Sequence, residues 1–172
     1  MSTQNQTLHR SAIILTCPSD WDEWIEVVKT KAKGGDIWQY VDLSVERDNL
    51  PTLKEPPVPL PKDVNQGKTT FAELDEAEKE ELRTLKSERK RNITKYDRQI
   101  AALGTLRTFI QETISRTYLR YTFNCETPYD MLITLKTRVS PTDRARKINL
   151  INQYQKLKKP PQSQSLEAWL QQ

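Results

Sequence analysis

Residues that commonly carry chemistry are scarce in this chain. It has one histidine, His9, and two cysteines, Cys17 and Cys125, among 172 residues. His9 stands in a polar N-terminal stretch, so neither a Ser-His nor a Cys-His pair has a scaffold. The two cysteines are too far apart for metal-ligand spacing and make no disulfide framework; both read as small buried apolar residues. The four glycines are scattered and form no phosphate loop. The dense carboxylates of Asp75 to Glu81 have no histidine beside them and read as a solvated helix face. Long apolar runs are also missing. Ala12 to Leu15 is four residues, short of the roughly 7–15 of a secretory leader and the ~20 of a membrane span. These absences lead us to expect a non-enzymatic, soluble, cytoplasmic protein with no catalytic residue, metal, cofactor, small-molecule substrate or membrane contact.

Charge is plentiful and uneven. Residues 1–65 hold 7 Lys and Arg against 10 acids, 66–123 hold 12 against 9, and 124–172 hold 8 against 4. The chain runs from acidic to basic. An apolar fraction of 35% lies below the ~45–50% of average domains and allows only a modest core.

The dominant stretch is Thr70 to Phe123. Thr70 and Glu73 have the spacing of a reciprocal N-terminal capping pair. Ile93, Tyr96, Ile100, Leu103, Leu106, Ile110, Ile114, Tyr118 and Tyr121 then recur in steps of three and four, which predicts one helical stripe. No proline interrupts it, and only Gly104 invites a bend. Leu74, Ala77, Leu82 and Leu85 make a thinner stripe in the first half, which reads as a solvated arm.

Shorter elements surround it. Residues 1–11 read as a disordered tail. Ser11 to Thr16 is an apolar patch, either an extended segment or a staple. A helix is predicted from Ser19 as cap, with Trp21, Trp24, Ile25, Val28 and Ala32 on one face and Gly34-Gly35 as its end. Asp36 would cap a second, short element with Trp38 and Val41 inward. Five prolines in eleven residues, Pro51 to Pro61, favour extended geometry over residues 50–64, a semi-rigid connector. Thr127-Pro-Tyr-Asp130 and Ser140-Pro-Thr-Asp143 are two helix starts of one design: hydroxyl cap, proline at the first helical position, acid at the third. They launch helices to Val139 and to about Lys158. Ser165 begins a further helix, with Trp169 and Leu170 placed for burial, that Gln172 cuts short.

Two basic groups are the site-like features. Lys86, Arg89, Lys90, Arg91, Lys95 and Arg98 share three to four turns of the long helix. Arg144, Arg146, Lys147, Lys156, Lys158 and Lys159 form the second group. Either can hold phosphates, though no aromatic residue interleaves in the first to stack bases.

Taken in order, Ile14-Leu15, Trp21-Asp-Glu-Trp24, Asp36-Ile-Trp38 and Tyr40-Val-Asp42 resemble the N-terminal part of fungal copia-type retrotransposon Gag proteins. The proline-rich segment, the charged helix, Thr127-Pro-Tyr-Asp-Met-Leu132, Tyr154 to Leu157 and Leu166-Glu-Ala-Trp-Leu170 continue the likeness over most of residues 12–172. The resemblance implies an all-α, capsid-like helical domain of a virus-like particle, built around one long helix. It also implies self-association and possible RNA contact, without the Cys-Cys-His-Cys zinc knuckle of complete Gag proteins. Trp21, Trp24, Trp38, Ile110, Ile114, Leu132, Leu135, Ile148 and Ile151 are the expected core, with Trp169 as a further assembly anchor. Two rivals stand beside this reading. One is a nucleic-acid-binding adaptor working through Lys86 to Arg98. The other is a coiled-coil adaptor pairing through residues 93–121, which Arg107 on the seam disfavours.

Overall fold

A computed structural model describes residues 13–158. Residues 1–11, Lys159, Trp169 and the helix expected from Ser165 lie outside them. The described chain is all-α: α1 (Trp21–Gly34), α2 (Pro61–Val64), α3 (Glu76–Glu112), α4 (Arg116–Leu119), α5 (Pro128–Val139) and α6 (Asp143–Leu157), joined by short 3-10 turns. The only β-type pairing among the described residues is an isolated parallel bridge between Leu15 and Ile114.

The long helix is shorter than its periodicity implies. Glu73 does bond back to the N–H groups of Thr69 and Thr70, at 2.8 and 3.1 Å. That box closes a 3-10 turn, Phe71–Glu73, not α3. Leu74 then turns inward and is buried. A second box starts the helix proper: the Glu78 N–H donates to the Asp75 carboxylate at 2.9 Å, and the Asp75 N–H donates to Glu78 at 2.8 Å. At the other end α3 stops at Glu112 instead of Phe123. The Leu15 N–H donates to the Thr113 carbonyl at 2.8 Å and Ser115 N–H donates to the Leu15 carbonyl at 3.0 Å. Backbone groups that would have continued the helix are taken by the N-terminal segment. The 37 residues that remain span about 55 Å. Gly104 lies inside the helix without ending it.

The first half of α3 is not a bare arm. The proline-rich connector folds back along it in the opposite direction. Arg89 donates to the Pro56 carbonyl at 3.3 Å, Asn65 donates to Glu78 at 2.8 Å, and Lys68 pairs with the same carboxylate. Beside this cover Leu74 and Leu82 are buried, apart from the main core.

That core lies between α1, the second half of α3, and α5. Trp21, Trp24, Val28 and Ala32 meet Leu106 and Ile110, and α5 adds Met131, Leu132, Leu135 and Val139. Of the expected core, Trp21, Trp24, Ile110, Ile114, Leu132 and Leu135 are there. Trp38 is half-buried at the edge, because its indole N–H reaches Asp42 at 3.0 Å. Ile148 and Ile151 are not in the core; they are 46% and 45% exposed, since α6 stands off the body. Cys125 is buried and Cys17 only partly so.

Local starts and stops differ in instructive ways. Thr127 caps α5 as its motif predicts, accepting from the Asp130 N–H at 3.2 Å. Ser19 caps nothing: Asp20 instead accepts from the Thr16 and Cys17 N–H groups, each at 2.9 Å, and fixes the entry to α1. Thr142, not Ser140, caps α6. Asp36 does not cap a helix; it is the one described non-glycine residue with positive φ, 55°, and the short element after it is the 3-10 turn Trp38–Tyr40. Before it, Gly35 packs so close to α3 that a Cβ there would come within 3.0 Å of the Ala102 Cβ. Arg107 leaves any coiled-coil seam to donate to the Glu126 and Cys125 carbonyls, at 2.6 and 2.9 Å.

These placements separate two chemically similar truncations. Leu132→Ala removes a fully buried side chain and is expected to cost about 2–5 kcal/mol in urea unfolding. Ile148→Ala, on the outer side of α6, is expected to stay within about 0.5 kcal/mol of the parent. Equal losses at the two positions would contradict this placement of α6.

Candidate functional site

Only part of the first basic group is available to a ligand. Arg89 is drawn under the connector, where it also meets Glu55 at 3.4 Å. Lys95 pairs with Asp36 at 3.0 Å, and the Lys86 ammonium lies 5.8 Å from the Phe71 ring centroid. Lys90, Arg91 and Arg98 are exposed and enter no ion pair among the described residues. Arg91, Lys95 and Arg98 border a cleft of about 280 Å³ at the junction of α1 and α3, together with Asp36 and Gln99. Gln99 is buried and donates to the Asp36 carbonyl at 2.8 Å. The cleft floor is thus a structural clasp that holds Asp36 in its left-handed conformation. Its positive rim carries a carboxylate at the centre, which weakens it as an anion site.

The C-terminal group is more informative. Arg146 is not a free cation. Its guanidinium forks onto Asp22 at 2.9 and 2.8 Å and also reaches Asp143 at 3.1 Å. This hydrogen-bonded pair holds the Asp22 carboxyl below its usual range and raises Arg146. Planar two-pronged pairing is what arginine does better than lysine. Here it ties α6 to the first turn of α1. Arg144, Lys147, Lys156 and Lys158 remain exposed. Lys159 lies outside the described residues.

Beyond that tie α6 packs neither side against the body, and every residue from Lys147 to Lys158 is exposed. Asn149, Asn152, Gln153 and Lys156 border a polar cleft of about 550 Å³ shared with Ser19 of the body. Ile148, Leu150, Ile151, Tyr154 and Leu157 are exposed. No residue of α6 is buried. Among the described residues no cluster of His, Cys, Asp or Glu could hold a metal ion, and no helix is long and apolar enough to cross a membrane.

The assembly anchors expected from sequence fall into three kinds. Trp21, Trp24, Ile110, Ile114, Leu132 and Leu135 hold the domain together and are unavailable to a partner while it stays folded. Trp38 is at the edge, and Trp169 lies outside the described residues. The outward face of α6 is not apparent as a surface in the sequence, where its apolar residues read as core. Asp22 is equally silent there: nothing in sequence links it to an arginine 124 positions away. Comparison with protein-family models, curated proteins and solved structures finds no match for this chain.

Acid should loosen the entry to α1 and the α6 tie. Asp20 is held at about 2, from 3.8, by hydrogen bonds from Thr16 and Cys17. A carboxylate with a depressed value contributes stability that is fully present above pH 3.8 and disappears as pH falls towards about 2. Asp22 shifts the same way through Arg146. We expect Asp22→Asn to raise amide hydrogen exchange across 143–157 several-fold at neutral pH. Global stability should change by less than about 1 kcal/mol, as for an exposed pair. Unchanged exchange in α6 would show that the pair does not hold it.

Proposed function

We propose that this chain is a structural, self-associating subunit of the copia-type Gag kind, acting by assembly and not by catalysis. The observation that supports this best is the outward apolar face of α6. A helix with five exposed apolar residues in 15 positions is what an assembling protein presents to a partner. The resemblance adds to it. Trp21 and Trp24, with Met131 and Leu132 of the Thr127 motif, are inner-core residues of one domain, so the motifs behind the likeness do architectural work.

Light scattering on nuclease-treated protein across a range of salt tests this reading. The expected result is a particle mass well above that of one chain, persisting after nuclease. A monomer at every concentration and salt would remove self-association as a property of this chain.

A second reading has its own observation: Lys90, Arg91 and Arg98 are exposed on one stretch of α3 with no ion pair among the described residues. They would contact single-stranded RNA through phosphates. Replacing all three with alanine should then flatten the slope of log affinity against log salt by about 2, at ~0.7 per phosphate contact. An unchanged slope would eliminate these residues as the contact.

A further inference from the structure

The turn after α4 gathers aromatic rings and arginines that neither reading above employs. Tyr118 on α4 and Tyr121 on the 3-10 turn Arg120–Thr122 stack, with ring centroids 6.3 Å apart and planes 21° from parallel. The Arg120 guanidinium lies 5.1 Å from the Tyr121 ring centroid. Arg138, from the last turn of α5, lies 4.9 Å from the same ring. Arg120 also donates to the Tyr121 hydroxyl at 3.2 Å. Phe123, at the end of the turn, is 68% exposed. Residues three apart eclipse on a 3-10 turn, so Phe123 stands on the same side as Arg120.

The fold holds this turn from beneath. Thr122 is fully buried and its hydroxyl donates to the Leu119 carbonyl at 2.8 Å. The Cys125 N–H donates to the Thr122 carbonyl at 3.2 Å. With Thr122 inside, its neighbours Tyr121 and Phe123 are left at the surface, half-buried and exposed.

An exposed phenylalanine alone carries no meaning. Beside this one, two exposed arginines share one ring and enter no ion pair among the described residues. Like charges held together favour an anion between them. Residues 113–158 hold nine Lys and Arg against three acids. Two of those acids are taken, Asp130 by Arg47 at 2.9 Å and Asp143 by Arg146 at 3.1 Å. On the other side, burial and then the neighbouring Cys17 and Asp20 raise the Tyr118 phenol. That Asp20 carboxylate already accepts from Thr16 and Cys17. The surface suits a ligand that carries flat rings as well as negative charge. A duplex keeps its bases stacked inside, and an acidic peptide would use the arginines without the ring. A single strand uses both, with phosphates on cations and bases on aromatic faces.

We propose that Phe123, with Arg120 and Arg138 around Tyr121, is a stacking site for single-stranded nucleic acid. A base lies on the Phe123 ring and the adjoining phosphates lie on the two arginines. This goes beyond both readings above, since it requires neither self-association nor contact at Lys90, Arg91 and Arg98. Those three stand back along α3, Arg98 about 21 Å from Glu112 at 1.5 Å per residue.

Fluorescence anisotropy with a labelled oligouridine strand tests the site. An abasic strand of the same length, which keeps the phosphates and lacks the bases, is measured beside it. Phe123→Leu keeps an apolar side chain and removes the ring. It is expected to weaken oligouridine binding ~5-fold or more and to leave abasic binding unchanged. Phe123→Trp, which keeps a ring, should bind at least as well as the parent. Arg120→Gln with Arg138→Gln should flatten the slope of log affinity against log salt by about 1.4, at ~0.7 per phosphate contact. All three positions are exposed, so circular dichroism should report unchanged helicity. The site is wrong if the parent binds no oligouridine, if it binds the abasic strand equally well, or if Phe123→Leu binds like the parent. An unchanged salt slope in the arginine variant would overturn it too. Loss confined to the Lys90, Arg91 and Arg98 variant would assign the strand to α3, leaving the RNA-contact reading in place and removing this site.

Discussion

The exchange of backbone hydrogen bonds between Leu15 and the segment Thr113–Ser115 carries the architecture. It ends the longest helix and leaves Leu15 fully buried. It also brings the N-terminal segment across the base of the domain. Thr113 is shared three ways: its carbonyl receives Leu15, its hydroxyl receives the Trp24 indole, and that hydroxyl donates to Phe109 at 2.7 Å. Because the indole is buried, leaving its N–H unmatched would cost about 1–3 kcal/mol. The depth and rotation of α1 follow from that one bond. With α1 placed against α3, α5 has one groove to fill, and Met131, Leu132 and Leu135 fill it.

Elements whose instructions lie within four or five residues are legible in sequence. Thr127-Pro-Tyr-Asp130 contains its cap, its proline and its acid, and α5 begins as written. The Trp21, Trp24, Val28, Ala32 face repeats at helical spacing and is buried as a unit. The ends of α3 are not legible, for two physical reasons. Thr70 with Glu73 and Asp75 with Glu78 are both sound capping boxes. Which one starts the long helix depends on whether Leu74 turns inward, and that is a tertiary matter. The other end is set by Leu15, nearly a hundred residues earlier in the chain.

Candidate sites are less legible still. Helical periodicity reveals that α6 has an apolar side but not which way that side points. Burial of Ile148 and Ile151 is the reasonable expectation from spacing alone; instead Arg146 pairs with Asp22 near the start of α6, and every residue from Lys147 to Lys158 stays exposed. Likewise a run of cations in sequence says nothing of which ones are already engaged. Arg89 and Lys95 serve the fold, binding the connector and Asp36, and only their neighbours are left for anything else.

The burial of Leu74 and Leu82 apart from the main core divides the molecule's tolerance to damage. The connector and the first turns of α3 share a small apolar contact of their own, reinforced by Asn65 and Lys68 on Glu78. Leu74 and Leu82 lie outside the cluster that Trp24 and Leu132 anchor, and the connector meets that cluster only through Leu50 at its start. An insertion or a proteolytic nick between Leu50 and Lys68 would therefore unseat the cover of α3 without reaching the domain's centre. The exposed helix beneath would keep its i,i+3 pairs, Glu76 with Lys79 and Glu80 with Arg83. The part of the chain richest in proline covers α3 and, beyond Leu50, adds nothing to the main core.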